Sequence, residues 1–253
     1  QYFFVRGRVS FPRAKNYNGV GLILSRDQNG AFRNMDARLI YAYHLLLSDA
    51  GETMLSMGFS AGTQQISVNE HDFYNYNNDP VITGNRISVW NPELSIGIAA
   101  YNKVFYSGIS ASNLLPAFSY VTDPQPADQN QRLYIAHAGI VIPLRAKDIE
   151  LEPSLTFLFK ELTYKRLDIN IKTYYRQVIW LGLSFRQYFY GSTKAASGLL
   201  PALGIQLKRF EIAYSYGLGF TSINKDNYGT HHLLIRWKIC QKSKGSVPCP
   251  AYQ

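Results

Sequence analysis

Residues 148–176 read DIELEPSLTFLFKELTYKRLDINIKTYYR, and their alternation decides the fold. Ile149, Leu151, Leu155, Phe157 and Phe159 alternate with Asp148, Glu150, Glu152, Ser154 and Thr156. After the connection at 160–165, Leu167, Ile169, Ile171 and Tyr175 alternate with Arg166, Asp168, Asn170, Lys172 and Arg176. A period of two belongs to β-strands, because successive side chains leave a pleated chain on opposite sides. Each strand therefore has one uncharged stripe and one stripe that holds all the charge.

The same pattern continues outward in both directions. Upstream it covers 3–11, 20–24, 35–45, 55–61, 94–100, 104–113 and 134–142; downstream it covers 179–187, 199–207, 210–218 and 231–239. That makes about thirteen strands, each bounded by turn signals, with no helix of useful length and no domain break. No uncharged stripe contains Asp, Glu, Lys or Arg, although these residues are 17% of the chain.

Composition narrows the class. The chain has no run near the roughly 20 apolar residues of a spanning helix, and the run at 39–47 is interrupted by His44. Nineteen Tyr and 14 Phe stand beside only 3 Met; aromatic residues favour strands and gather at membrane–water boundaries. The net charge of +9 is scattered rather than blocked, which argues against nucleic acid as a partner. No signal peptide or initiator Met is present, so export is inferred from the strands alone and a mature or N-terminally incomplete chain is expected.

Connection lengths point to a transmembrane antiparallel up-and-down β-barrel. The connections at 12–18, 48–53, 102–103, 143–147, 176–178 and 208–209 read as short; those at 26–32, 69–91, 114–131, 190–198 and 219–228 read as long, with 160–165 moderate. Short turns on one side and long loops on the other are expected of outer-membrane barrels, with the short side periplasmic. Residues 1–240 are then the barrel and 241–253 a periplasmic C-terminal tail. Counting strands back from that end starts the first on the long-loop side, so one further N-terminal strand and a total of about fourteen are expected.

Lipid supplies no hydrogen bonds, so a spanning sheet must leave no edge. The expected lumen face carries Asp36, Arg38, Glu150, Glu152, Arg166, Asp168, Lys172, Arg186, Glu211, Arg236 and Lys238, whose opposite charges can pair across strands. A soluble barrel with its apolar stripes inward is the competing reading. It is disfavoured because about eight strands suffice to close a side-chain-filled interior.

No catalytic, cofactor or metal site is expected. Gly58-Phe59-Ser60-Ala61-Gly62 matches the hydrolase pattern G-x-S-x-G, but that chemistry needs a strand-to-helix turn, and here the alternation runs straight through. His44, His71, His137, His231 and His232 form no ligand-spaced pair. The segment 69–80 is rich in Asn and acid, yet lacks the ordered spacing of a calcium loop. Asn29-Gly30 is a turn signal. Cys240 and Cys249 either close a small loop in an oxidising compartment or remain free thiols. In the long loops, Asp72, Tyr74, Tyr76, Asp79, Tyr120, Asp123, Asp226 and Tyr228 are the candidate partner-contacting residues.

Ordered short matches extend over nearly the whole chain. They are the glycine-rich strand and turn at 19–30, Tyr41-Ala42-Tyr43, the segment at 56–62, Asn78-Asp79-Pro80, the segment FYSGISASNLL at 105–115, Glu152-Pro153-Ser154, Tyr214-Ser215-Tyr216, and Cys249-Pro250-Ala251-Tyr252. In this order they resemble the PorP/SprF family, outer-membrane barrels of the type IX secretion system of Bacteroidota. Gly229-Thr230-His231-His232 departs from that family's G-x-H-E, and its N-terminal N-P-A-Y-A-G segment is absent. The resemblance implies a non-enzymatic role in protein secretion and gliding. Its expected partners are periplasmic ring lipoproteins, exported adhesins or cargo, and outer-membrane lipid. A channel for small or hydrophobic solutes is the alternative, and a barrel lipase or protease a third reading.

Overall fold

The structure, a computed structural model, describes residues 1–9, 16–48, 53–70, 86–115, 131–144, 148–161, 164–190, 193–207, 209–220 and 229–239. Fourteen strands form one sheet: β1 (Tyr2–Val9), β2 (Tyr17–Asn29), β3 (Phe32–Ser48), β4 (Thr53–Asn69), β5 (Arg86–Tyr101), β6 (Phe105–Ser112), β7 (Leu133–Ile140), β8 (Ile142–Pro143), β9 (Ile149–Lys160), β10 (Tyr164–Tyr175), β11 (Ile179–Tyr190), β12 (Thr193–Leu207), β13 (Phe210–Gly219) and β14 (Thr230–Trp237). Neighbours in sequence are neighbours in the sheet, except that the two-residue β8 only flanks β9. Thirteen strands thus follow one another along the sheet, as the alternation predicts.

The expected closure is not made among the described residues: β1 pairs only with β2, and β14 only with β13. Unpaired backbone groups are costly in hydrocarbon, so these two edges are where further pairing is required.

Two compact units divide the chain. One comprises Gln1–Leu47, Met54–Ala99 and Ile109–Tyr134; the other comprises Ser48–Thr53, Ala100–Gly108 and Ile135–Gln253.

In the first unit, β2 and β3 are paired from Tyr17↔His44 to Asn29↔Phe32. The connection predicted at 26–32 is therefore only a two-residue turn, in which Gly30 takes a left-handed φ of 57°. β4 and β5 likewise reach Asn69 and begin at Arg86, beyond the predicted strand ends. In the second unit, β11 and β12 are paired out to Tyr190↔Thr193, so 190–198 is no long loop either. The reason is physical. Past the apolar stripes the same parity turns polar, as at Arg26 and Gln28 on β2 and at Gln65, Ser67 and Asn69 on β4, so the hydropathy signal breaks while the backbone ladder continues.

Burial is inverted relative to a water-soluble domain, within each unit. In the second, the register joins Ile179, Ile205, Ile212 and Ile235 into one row across four strands. These residues are 41–67% exposed, whereas Glu211, Asp168 and Glu152 on the other face are 4–8% exposed. In the first unit Leu39 is 68% exposed and Glu93 only 3%. Covering carboxylates while presenting isoleucine and leucine to the surroundings is unfavourable in water and favourable in hydrocarbon. The apolar face is the lipid face.

Candidate functional site

The polar face carries the chemistry, and its charges are spent on one another. In the first unit, Arg38 pairs with Asp36 at 2.9 Å and with Glu93 at 3.4 Å, joining β3 to β5. The Ser95 hydroxyl donates to the same Glu93 carboxylate.

In the second unit, Asp168 stands opposite Arg186 in the β10–β11 register and receives its guanidinium at 3.0 and 3.3 Å. Arg166 adds a third contact at 3.3 Å. Glu211 stands opposite Arg236 and contacts it at 3.1 Å, with the Lys238 ammonium at 4.0 Å. The Trp180 indole N–H donates to Glu211 at 3.2 Å from two strands away. Lys172 sits over the Trp180 ring at 3.9 Å and over Tyr174 at 4.8 Å, close enough for cation–π attraction.

Glycines make the long reach possible. Trp180 lies opposite Gly204 on β12, and a Cβ at Gly204 would stand 2.2 Å from the indole. The ring crosses β12 over this gap to meet Glu211 on β13. Tyr106 repeats the device: a Cβ at Gly139 on β7 would stand 2.4 Å from its ring, and its hydroxyl donates to Glu152 on β9 at 2.7 Å. Both staples tie a strand to its second neighbour. Gly204→Val is expected to evict Trp180, release Glu211 and Lys172, and cost about 3 kcal/mol. Gly182→Ala should be nearly neutral, because its Cβ would meet Trp180 at an ordinary 3.4 Å. Urea unfolding followed by tryptophan fluorescence checks both.

The β10–β11 turn is held from outside. Arg176 and Gln177 both have left-handed φ, 53° and 57°, without being glycine. Arg176 binds Asp148 at 3.2 Å and Gln177 binds Glu150 at 2.5 Å, so side chains at the start of β9 and just before it over-determine the strained pair.

Among the expected lumen charges, Arg38–Glu93, Asp168–Arg186 and Glu211 with Arg236 and Lys238 pair across strands, whereas Asp36–Arg38 and Arg166–Asp168 pair along a single strand. The candidate partner-contacting residues Asp72, Tyr74, Tyr76, Asp79, Tyr120, Asp123, Asp226 and Tyr228 lie outside the described residues, as do Cys240 and Cys249. The segment at 58–62 lies within β4 as straight strand. Gly62 is there because a Cβ would stand 2.0 Å from the Ala37 carbonyl of β3.

One juxtaposition escaped the sequence reading. His44 Nδ1 lies 2.5 Å from Ser56 Oγ, and its ring stacks on Tyr17 at 4.3 Å. A nucleophile and a base are therefore in contact. Only the β2–β3–β4 pairing brings 17, 44 and 56 together, and no spacing signals it. The other ring nitrogen lies against Gly19, 3.0 Å from where its Cβ would stand. That packing suits a bridge between strands better than a hydrolytic pair, whose base needs its second nitrogen turned to an orienting acid.

No curated protein matches the chain. The family model described as type IX secretion system membrane protein PorP/SprF matches residues 1–237. The described residues form one antiparallel β-sheet, and the chain belongs to the PorP/SprF family of type IX secretion system membrane proteins.

Proposed function

We propose that this protein serves the type IX machinery as an outer-membrane barrel that binds protein partners, and that it is neither a solute channel nor an enzyme. The supporting observation is the state of the charged face. Glu93, Asp168 and Glu211 are 3–6% exposed and engaged by arginines, so they are withdrawn from any hydrated path and serve to brace the wall. A rigid braced wall suits a platform for loops and turns. The long loops, with Asp72, Tyr74, Tyr76, Asp79, Tyr120, Asp123, Asp226 and Tyr228, are proposed to meet exported adhesins or cargo. The short turns and the tail at 241–253 are proposed to face the periplasm and its ring lipoproteins, with Cys240 and Cys249 paired there.

The test uses full-length protein extracted from its native membrane. Co-purification of secretion components, with no steady conductance in planar bilayers, is the expected result. Reproducible conductance without co-purifying secretion proteins would transfer the assignment to a channel.

A further inference from the structure

We propose that the tips of β2 to β5 in the first unit bind the phosphorylated headgroup of a membrane lipid. This goes beyond partner binding and rests only on the apolar face meeting lipid. The lipid face of β2 continues from Leu24 to Arg26 and Gln28, and that of β3 from Met35 to Arg33; Gln28 stands opposite Arg33 and Arg26 opposite Met35. On β5 the same parity leads from Trp90 through Ser88 to Arg86. Gln28, Ala31, Arg33, Ser67, Asn69 and Arg86 line a cleft of about 120 Å³.

Two arginines, Arg33 and Arg86, therefore line one cleft above a hydrocarbon-facing surface, and Arg26 reaches the Gln28 of its lining at 3.5 Å. Arg33 is two residues beyond Met35, roughly 7 Å along the strand. Trp90, 59% exposed on the lipid face, stands four residues below Arg86, where an amphipathic ring marks the boundary. A lipid whose chains lie along Leu24, Met35 and Leu39 would carry its phosphate to this height.

Their pairing separates these arginines from those of the charged face. Arg38, Arg166, Arg186 and Arg236 each hold a carboxylate. Arg26 and Arg33 both turn to one neutral acceptor, Gln28 Oε1, at 3.5 and 3.4 Å. Among the described residues no carboxylate pairs with Arg26, Arg33 or Arg86. Arg33 Nε is shut off from solvent and has no hydrogen-bond partner among them. Asp27 and Asp36 belong to the opposite parity, opposite Asn34 and Ser25. Guanidinium forks that hold no carboxylate, beside Ser67 and Asn69, match the oxygens of a phosphate monoester.

Full-length protein in neutral detergent is titrated with lipid A, with its dephosphorylated form and with inorganic phosphate, and binding is read by native mass spectrometry and thermal shift. Lipid A is expected to bind at least tenfold more tightly than either comparison ligand. The variant Arg33→Ala/Arg86→Ala should lose that preference while unfolding at the unliganded temperature of the parent. Equal binding of the phosphorylated and dephosphorylated lipids would overturn the proposal, as would unchanged lipid A affinity in the variant. Inorganic phosphate binding as tightly as lipid A would also overturn it, in favour of a soluble-anion site. Should the double variant misfold, Arg33→Gln and Arg86→Gln singly give the same readout.

Discussion

Ile169→Arg is expected to destabilise the protein by about 2–4 kcal/mol in bilayers, whereas Asn170→Arg, one residue along β10, should cost well under 1. Ile169 is 47% exposed in the apolar row, paired with Leu155 and Phe185. Asn170 sits between Ser154 and Ser184 on the charged face. Hydrocarbon rejects the guanidinium at the first position, while polar neighbours accept it at the second. Urea unfolding in lipid vesicles measures both. If the larger cost fell on Asn170, the assignment of faces would be reversed.

Glu211→Ala is the second large effect, a loss of about 3 kcal/mol. Glu211 is 4% exposed, and its removal leaves Arg236 without its carboxylate and the Trp180 N–H without its acceptor. Lys238 and Lys172 then lie near an uncompensated positive group. Glu211→Gln should cost less, because the amide oxygen still accepts from Trp180, and the difference between the two variants measures the charge. Glu211→Arg should be worse than either. Equal stability of Glu211→Ala and the parent would show that this carboxylate is effectively hydrated.

The legible part of the fold was the part governed by a local rule. Ile149 to Phe159 and Leu167 to Tyr175 state their strand identity and their two faces by alternation, and the observed register places them on those faces. The segments that misled lie where the rule falls silent. Arg26 to Asn29 and Thr193 to Ser197 are polar or small on both sides, so they read as loops, yet they belong to long hairpins paired out to Asn29↔Phe32 and Tyr190↔Thr193. Their backbone bonds form because the strands below are already paired, which is information held in the neighbours.

The charged face was legible as a set of residues and illegible as a set of contacts. Asp168–Arg186 and Glu211–Arg236 are register partners, and register depends on turn geometry at a distance from either residue. The Trp180–Gly204–Glu211 staple and the Tyr17–His44–Ser56 cluster each need three strands in order before they exist.

The sequence by itself determined the strands, their sequential antiparallel order, and the separation of charge from hydrocarbon, because a period of two is a property of the local backbone. Only the tertiary structure decided which face is covered, which carboxylate meets which arginine, and which arginines are left over at the tips. Those outcomes depend on distances between strands far apart in the chain, and a single residue of register would change every one of them.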